Sequence, residues 1–154
     1  MDKLREHLLD QLVNEHAHTS FSNAVSGLTP NEVGIQPDSL PYSIWQLVEH
    51  IRIAQSDIVQ FCIDPDYQSP EWPKGYWPTN AAPSGTKEWK DSIKQIESDL
   101  QQMVELVKDP KNDLFEPFPH GDGQTLFREA ILVIDHNSYH TGQIVTMRRL
   151  LGLW

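Results

Sequence analysis

The sequence predicts an all-α fold, a four-helix bundle formed by one domain over residues 1–154. Four stretches repeat apolar side chains at the 3.6-residue spacing of an amphipathic helix. No stretch shows the convincing alternation of apolar and polar residues that is typical of a half-buried strand. Long amphipathic helices without strands bury their apolar faces against one another, and 154 residues suit one such domain.

The first predicted helix covers residues 2–26, and three leucines recur in it one turn apart: Leu4, Leu8 and Leu12. Residues 27–42 contain three prolines and are predicted to form a connection. The second predicted helix covers residues 43–62, where Ser43 and Gln46 form the sequence pattern of a capping box. Its apolar stripe consists of Ile44, Leu47, Val48, Ile51, Ile58 and Phe61.

Residues 63–85 contain five prolines, which exclude a regular helix, and several aromatic residues, among them Trp72, Tyr76 and Trp77. A connection of this length could let the chain cross the bundle instead of making a tight hairpin. Its aromatic side chains could line a pocket, or they could pack over the end of the bundle or form a dimer contact.

The third and fourth predicted helices cover residues 86–108 and 125–151 and are separated by an irregular stretch. The stripe of the third consists of Trp89, Ile93, Ile96, Leu100, Met103, Val104 and Val107. The stripe of the fourth consists of Leu126, Ala130, Val133, Ile144, Met147 and Leu151. The sequence leaves the winding of the four helices open.

The composition argues against several classes of protein. A net charge of −10 disfavours binding to nucleic acid or to an anionic membrane, and the basic pair Arg148 and Arg149 suits the last turn of a helix. No apolar stretch approaches the length of a membrane span. The single cysteine, Cys62, cannot form an intrachain disulfide, and no signal-peptide pattern is visible. We therefore expect a cytoplasmic protein.

Three of the seven histidines are candidate metal ligands. His136 and His140 lie four residues apart, on or near the apolar face of the fourth helix, so that both rings can reach one ion. The zinc-protease motif requires Glu at position 137, where this chain has Asn, so that class is excluded. His50 lies at the edge of the apolar arc of the second helix. A third imidazole would complete a metal site with an open coordination position, as in catalytic sites. The alternative is that the buried histidines are satisfied by hydrogen bonds without a metal.

Residues 41–50, PYSIWQLVEH, and residues 135–143, DHNSYHTGQ, resemble the DinB-like superfamily of bacterial four-helix bundles. The family pattern places one histidine in the second helix and two in the last, which maps onto His50, His136 and His140. The resemblance implies a divalent metal ion, with Zn or Ni expected, and a homodimer. Some members transfer low-molecular-weight thiols such as bacillithiol or mycothiol, so a small thiol is one expected partner.

Four further residues are candidates for a supporting role around the metal: Glu15, His18, Asn137 and Trp77. Glu15 and His18 fall on or near the apolar face of the first predicted helix, and Asn137 falls on the inner face of the fourth. A polar residue on such a face needs a partner, which could be a metal ligand or water. The alternative for Glu15 and His18 is that the helix end is exposed there and both are solvated.

Two classes of function follow from these residues. The first is a metal-dependent enzyme, a thiol transferase or a hydrolase, since a divalent ion can activate a bound thiol or water. The second is a non-catalytic metal-binding or stress-response protein. A helical adaptor without metal remains possible only if the three histidines do not converge.

Overall fold

A computed structural model describes residues 3–154, and this part of the chain is all-α, as predicted. The helices are α1 Lys3–Val13, α2 Phe21–Val25, α3 Pro30–Val33, α4 Ile44–Ile63, α5 Thr86–Lys108 and α6 Leu126–Leu150, with one 3-10 turn at Lys74–Tyr76. Extended pairing within residues 3–154 is limited to a single bridge between Pro117 and Thr125.

The four longest helices, α1, α4, α5 and α6, pack together around two apolar clusters. Helices α4 and α5 both begin in the first cluster and end in the second. Helix α6 runs the other way, from Leu126 in the second cluster to Met147 in the first. The start of α4 therefore lies beside the second half of α6, which brings their polar residues at that level together.

The connection between α4 and α5 carries the chain back along the bundle. Because α4 and α5 run in the same direction, residues 64–85 must return from one end of the helices to the other. This resolves the choice left open by the sequence, since a tight hairpin would have made the two helices antiparallel. On its way the connection makes the 3-10 turn at Lys74–Tyr76, which packs against α4.

The first predicted helix, residues 2–26, is wrong as one continuous helix, because residues 14–20 interrupt it. Its first residue lies outside the described residues, α1 ends at Val13, and α2 is a separate short helix. After Leu12 no large apolar residue is buried until Val25, and helices gain most of their stability from packing such a face. Ser20 caps a new helix instead, because its side chain accepts a hydrogen bond from the Asn23 backbone.

The remaining helices follow the sequence signals closely. The capping box of Ser43 and Gln46 is present at the start of α4, and α5 has the predicted bounds. Thr125 caps α6 through the backbone N–H of Arg128. The predicted connection 27–42 contains one additional helix, α3, which Thr29 caps with its own capping box.

Among residues 3–154, no helix combines the length and the apolar character needed to cross a lipid bilayer.

Candidate metal centre

Three histidine rings meet between α4 and α6. One ring nitrogen each from His50, His136 and His140 can be chosen so that all three lie within 4.8 Å of one another. His50 and His140 are 6% and 7% exposed, and His136 is partly buried. The antiparallel packing of α4 and α6 supplies this arrangement, because it places the first half of α4 opposite the second half of α6.

Hydrogen bonds orient two of the rings. Nδ1 of His50 donates to the backbone carbonyl of Tyr76, at a nitrogen–oxygen distance of 2.9 Å. Nδ1 of His140 lies 2.6 Å from Oε1 of Gln143, which lies one turn later on α6. A histidine that donates from Nδ1 keeps the lone pair of Nε2 free, and this is the usual orientation of a metal-bound imidazole.

Nε2 of His50 and Nε2 of His136 lie only 3.1 Å apart. His50 carries its proton on Nδ1, because a carbonyl can only accept, so its Nε2 presents a lone pair to His136. The contact is favourable if His136 carries a proton on Nε2, or if a cation lies between the two nitrogens. Nδ1 of His136 is buried and has no hydrogen-bond partner among residues 3–154.

Burial keeps all three imidazoles neutral near pH 7. It is the main reason that the pKa of His50, of His136 and of His140 lies below the ordinary value. The pKa of His136 falls furthest, to about 4, since positive charge on His140 or His50 would also disfavour its protonation. Neutral imidazoles are the form that binds metal ions.

The donor set fits a divalent ion. Three neutral imidazoles, two buried and one partly buried, with converging nitrogens suit Zn²⁺ and Ni²⁺, and three protein ligands leave coordination positions open. The structure thus supports a divalent metal, and the choice between zinc and nickel stays a prediction.

Trp77 lies directly at this site. Its ring stacks on His50 with the centroids 4.0 Å apart and the planes 4° from parallel. Tyr42 also stacks on Trp77, with the centroids 5.8 Å apart. The loop therefore reaches the histidines through Trp77, whereas Trp72 is 75% exposed.

Asn137 bonds across the bundle to the side-chain amide of Gln55. Its Nδ2 donates to Oε1 of Gln55 at 2.6 Å, and Nε2 of Gln55 donates to the carbonyl of Ile96 at 2.6 Å. Oδ1 of Asn137 is buried without a hydrogen-bond partner among the described residues. The Asn137 side chain nevertheless favours the protonated form of His136, so the two side chains interact.

Glu15 and His18 lie outside the histidine cluster. Glu15 accepts hydrogen bonds from the backbone of Ser20 and the side chain of Asn23, and the bonds from Ser20 hold the pKa of Glu15 below its usual value. His18 is exposed, and its Nδ1 contacts the carbonyl of Thr19. His18 shares with Asn137 the lining of a cavity of about 290 Å³ between α1, α2, α5 and α6.

Three supporting residues were not predicted from the sequence. Tyr76 contributes a backbone carbonyl, which no side-chain pattern reveals, and its hydroxyl donates to Asp57 at 2.7 Å. Gln55 lies on the buried face of α4. The contact of Gln143 with His140 could have been predicted, because a residue three positions after His140 lies on the same side of a helix.

The comparisons with known proteins agree with this geometry. The family model described as the DinB superfamily matches residues 14–144. No match was found among curated proteins or among solved structures. The matched range contains all three histidines and covers most of the chain, and the chain therefore belongs to the DinB superfamily.

Proposed function

We propose that this protein is a divalent-metal-dependent enzyme whose ion is held by His50, His136 and His140, and that it acts in thiol transfer, thiol conjugation or hydrolysis. The observation that carries the proposal is the convergence of three imidazoles, two buried and one partly buried, two of which have Nδ1 at a hydrogen-bonding oxygen. A divalent ion held there would lower the pKa of a bound thiol or water molecule and so supply a nucleophile near neutral pH.

In this proposal the side chains of the protein hold the ion and shield the site, and the nucleophile is the bound thiol or water molecule. Cys62 is the single thiol, and burial raises its pKa to about 12, so it stays protonated and unreactive at neutral pH. Trp77 covers one face of His50 and keeps water from that side of the ring. A small substrate must then approach from another side of the three rings.

Metal content is the first test of this proposal. Untagged wild type, His136→Ala and His7→Ala are purified side by side and analysed by inductively coupled plasma mass spectrometry. His7→Ala is a matched control, because His7 is an exposed histidine on α1. We expect about one zinc or nickel ion per chain in wild type and His7→Ala, and loss of the ion in His136→Ala, as the removal of one of three ligands implies.

Circular dichroism of the three proteins shows whether His136→Ala keeps its helices. If wild type is free of metal and stays so after incubation with Zn²⁺ and with Ni²⁺, the proposal is wrong.

A non-catalytic metal-binding role is the second candidate. It is favoured by the low exposure of His50 and His140 and by the cover that Trp77 provides. The conjugation of a small thiol to 1-chloro-2,4-dinitrobenzene distinguishes the two roles. In this reaction a carbon–sulfur bond forms, chloride leaves and the thiol proton goes to solvent. An enzyme accelerates this reaction, or the hydrolysis of an ester, in its metal-loaded wild-type form and not as His136→Ala. A protein that holds its ion but accelerates neither reaction supports the second role.

A further inference from the structure

A chain of contacts links two of the histidines through residues that are not ligands. His140 contacts Gln143, Gln143 contacts Tyr42, Tyr42 stacks on Trp77, and Trp77 stacks on His50. We propose that Gln143 is a positioning residue that sets the tautomer of His140. This inference rests on the proposed function, because it concerns the same metal site.

The first step is the contact between Gln143 and His140. Oε1 of Gln143 lies 2.6 Å from Nδ1 of His140, and both side chains are at least partly buried. When the amide oxygen accepts the Nδ1 proton, Nε2 of His140 keeps its lone pair, as Nε2 of His50 does through the carbonyl of Tyr76. Both rings are then prepared to bind the same ion.

The second step is the orientation of the amide. A reversed Gln143 side chain would present an N–H group to Nδ1 of His140 and hold the histidine proton on Nε2, where it would block metal binding. In the structure the amide oxygen of Gln143 faces His140, and Nε2 of Gln143 donates to the Tyr42 hydroxyl at 3.0 Å. The ring that carries this hydroxyl stacks on Trp77, with the centroids 5.8 Å apart.

The variants Gln143→Met and Gln143→Glu separate positioning from packing. Methionine keeps the length of the side chain but removes the acceptor, whereas a carboxylate can only accept and so enforces the proton on Nδ1. We expect the zinc dissociation constant, measured by competition with a chromophoric chelator, to rise about 10- to 100-fold in Gln143→Met. Gln143→Glu should keep the wild-type affinity or exceed it, and Tyr42→Phe should show a smaller loss than Gln143→Met.

The tautomer of His140 can be observed without any metal. Long-range ¹H–¹⁵N NMR of the metal-free protein in mildly alkaline buffer distinguishes a proton on Nδ1 from one on Nε2. We expect His140 to carry its proton mainly on Nδ1 in wild type and in Gln143→Glu, and to shift toward Nε2 in Gln143→Met. Unchanged helical circular dichroism confirms that each variant is folded.

These measurements can overturn the inference separately from the proposed function. If Gln143→Met keeps both the wild-type tautomer and the wild-type zinc affinity, or if Glu and Met weaken zinc binding equally, Gln143 does not set the tautomer. If the tautomers change as expected while wild type binds no zinc or nickel, the positioning role stands and the proposed metal-dependent function fails.

Discussion

Burial acts with opposite sign on the histidines and on the cysteine of this protein. It lowers the pKa of His50, His136 and His140 and raises that of Cys62, because in each case the charged form is the one that loses solvation. The imidazoles thereby keep their lone pairs for a metal ion, while the thiol keeps its proton. The chemistry of the site is therefore expected to depend on the ion and the substrate rather than on a nucleophile of the protein.

Cys62 should resist alkylation in the folded protein. Burial, and to a smaller extent the charge of Glu129, raise its pKa to about 12, and the thiolate is the form that reacts. At a pH of about 8.5, where an ordinary cysteine is half ionised, we expect iodoacetamide to modify Cys62 slowly in buffer and rapidly in concentrated urea. Mass spectrometry follows the modification, and equal rates in the two solvents would contradict the low reactivity.

Asn137→Ala should destabilise the metal-free protein. The substitution removes the donor to Oε1 of Gln55, which is 1% exposed and has no access to water as a replacement. A buried acceptor left without its donor costs about 1–3 kcal/mol. Urea denaturation in the presence of a chelator measures the change, with the neighbouring Ser138→Ala as the control. A loss no greater than that of the control would mean that the Asn137–Gln55 contact contributes nothing to stability.

Among individual residues, the sequence predicts the site residues whose positions follow from helical spacing. The four-residue interval of His136 and His140 and the register of His50 on its helix are such cases. The carbonyl of Tyr76 could not be predicted, because it depends on the path of the loop rather than on a side chain. Asp99 is a second case: it is fully buried on α5, where it accepts from Gln95, although a carboxylate is normally expected on the exposed face.

Among the elements, the sequence predicts the bounds of the long helices α4, α5 and α6 better than those of the short helices. Helices α4, α5 and α6 agree with the predicted ranges to within one residue. All three have long apolar stripes, and in α4 and α6 a capping residue marks the same start as the stripe. The predicted first helix breaks up after Val13, since the polar residues that follow have no face to pack and Ser20 offers a competing cap. Whether one long helix or two shorter ones form depends on tertiary packing, and the spacing of apolar residues in the sequence does not determine that packing.

Arg5 connects α1 to the end of α5. Its buried guanidinium donates to the carbonyl of Val107, to that of Asp109 at 3.1 Å and to that of Asn112 at 2.9 Å. These carbonyls belong to the last turn of α5 and the residues just beyond it.

We expect Arg5→Met, which keeps the apolar stem but loses the donors, to lower the free energy of unfolding by about 2–3 kcal/mol. Urea denaturation measures the loss. Lys108→Ala removes an exposed cation at the same end of α5 and should leave the free energy of unfolding unchanged. Equal stability of Arg5→Met and wild type would contradict a role of Arg5 in holding the two helices together.

At the scale of the whole molecule, the parallel course of α4 and α5 connects the fold to the site. The return of the chain through residues 64–85 brings the Tyr76 carbonyl and the Trp77 ring against His50. Sequence predicted an unusually long, aromatic connection here, but its direction depends on which helices pair, and the apolar stripes alone do not determine that choice.

Binding of an ion between α4 and α6 should stabilise the folded molecule as a whole. An ion that binds only the folded state raises the free energy of unfolding by about 2.7 kcal/mol when its free concentration is 100 times the dissociation constant. We expect zinc to raise the midpoint of urea denaturation of wild type and to leave that of His136→Ala unchanged. An equal effect of zinc on both proteins would place its binding elsewhere on the chain.

The central claim is that His50, His136 and His140 hold one ion between α4 and α6. Anomalous X-ray diffraction from crystals grown with zinc, recorded on both sides of the zinc absorption edge, tests it most directly. We expect one strong anomalous peak between the three rings, about 2.0–2.1 Å from a nitrogen of each histidine. Crystals that show no peak there, or a peak at the exposed histidines of residues 16–18 instead, would contradict the account.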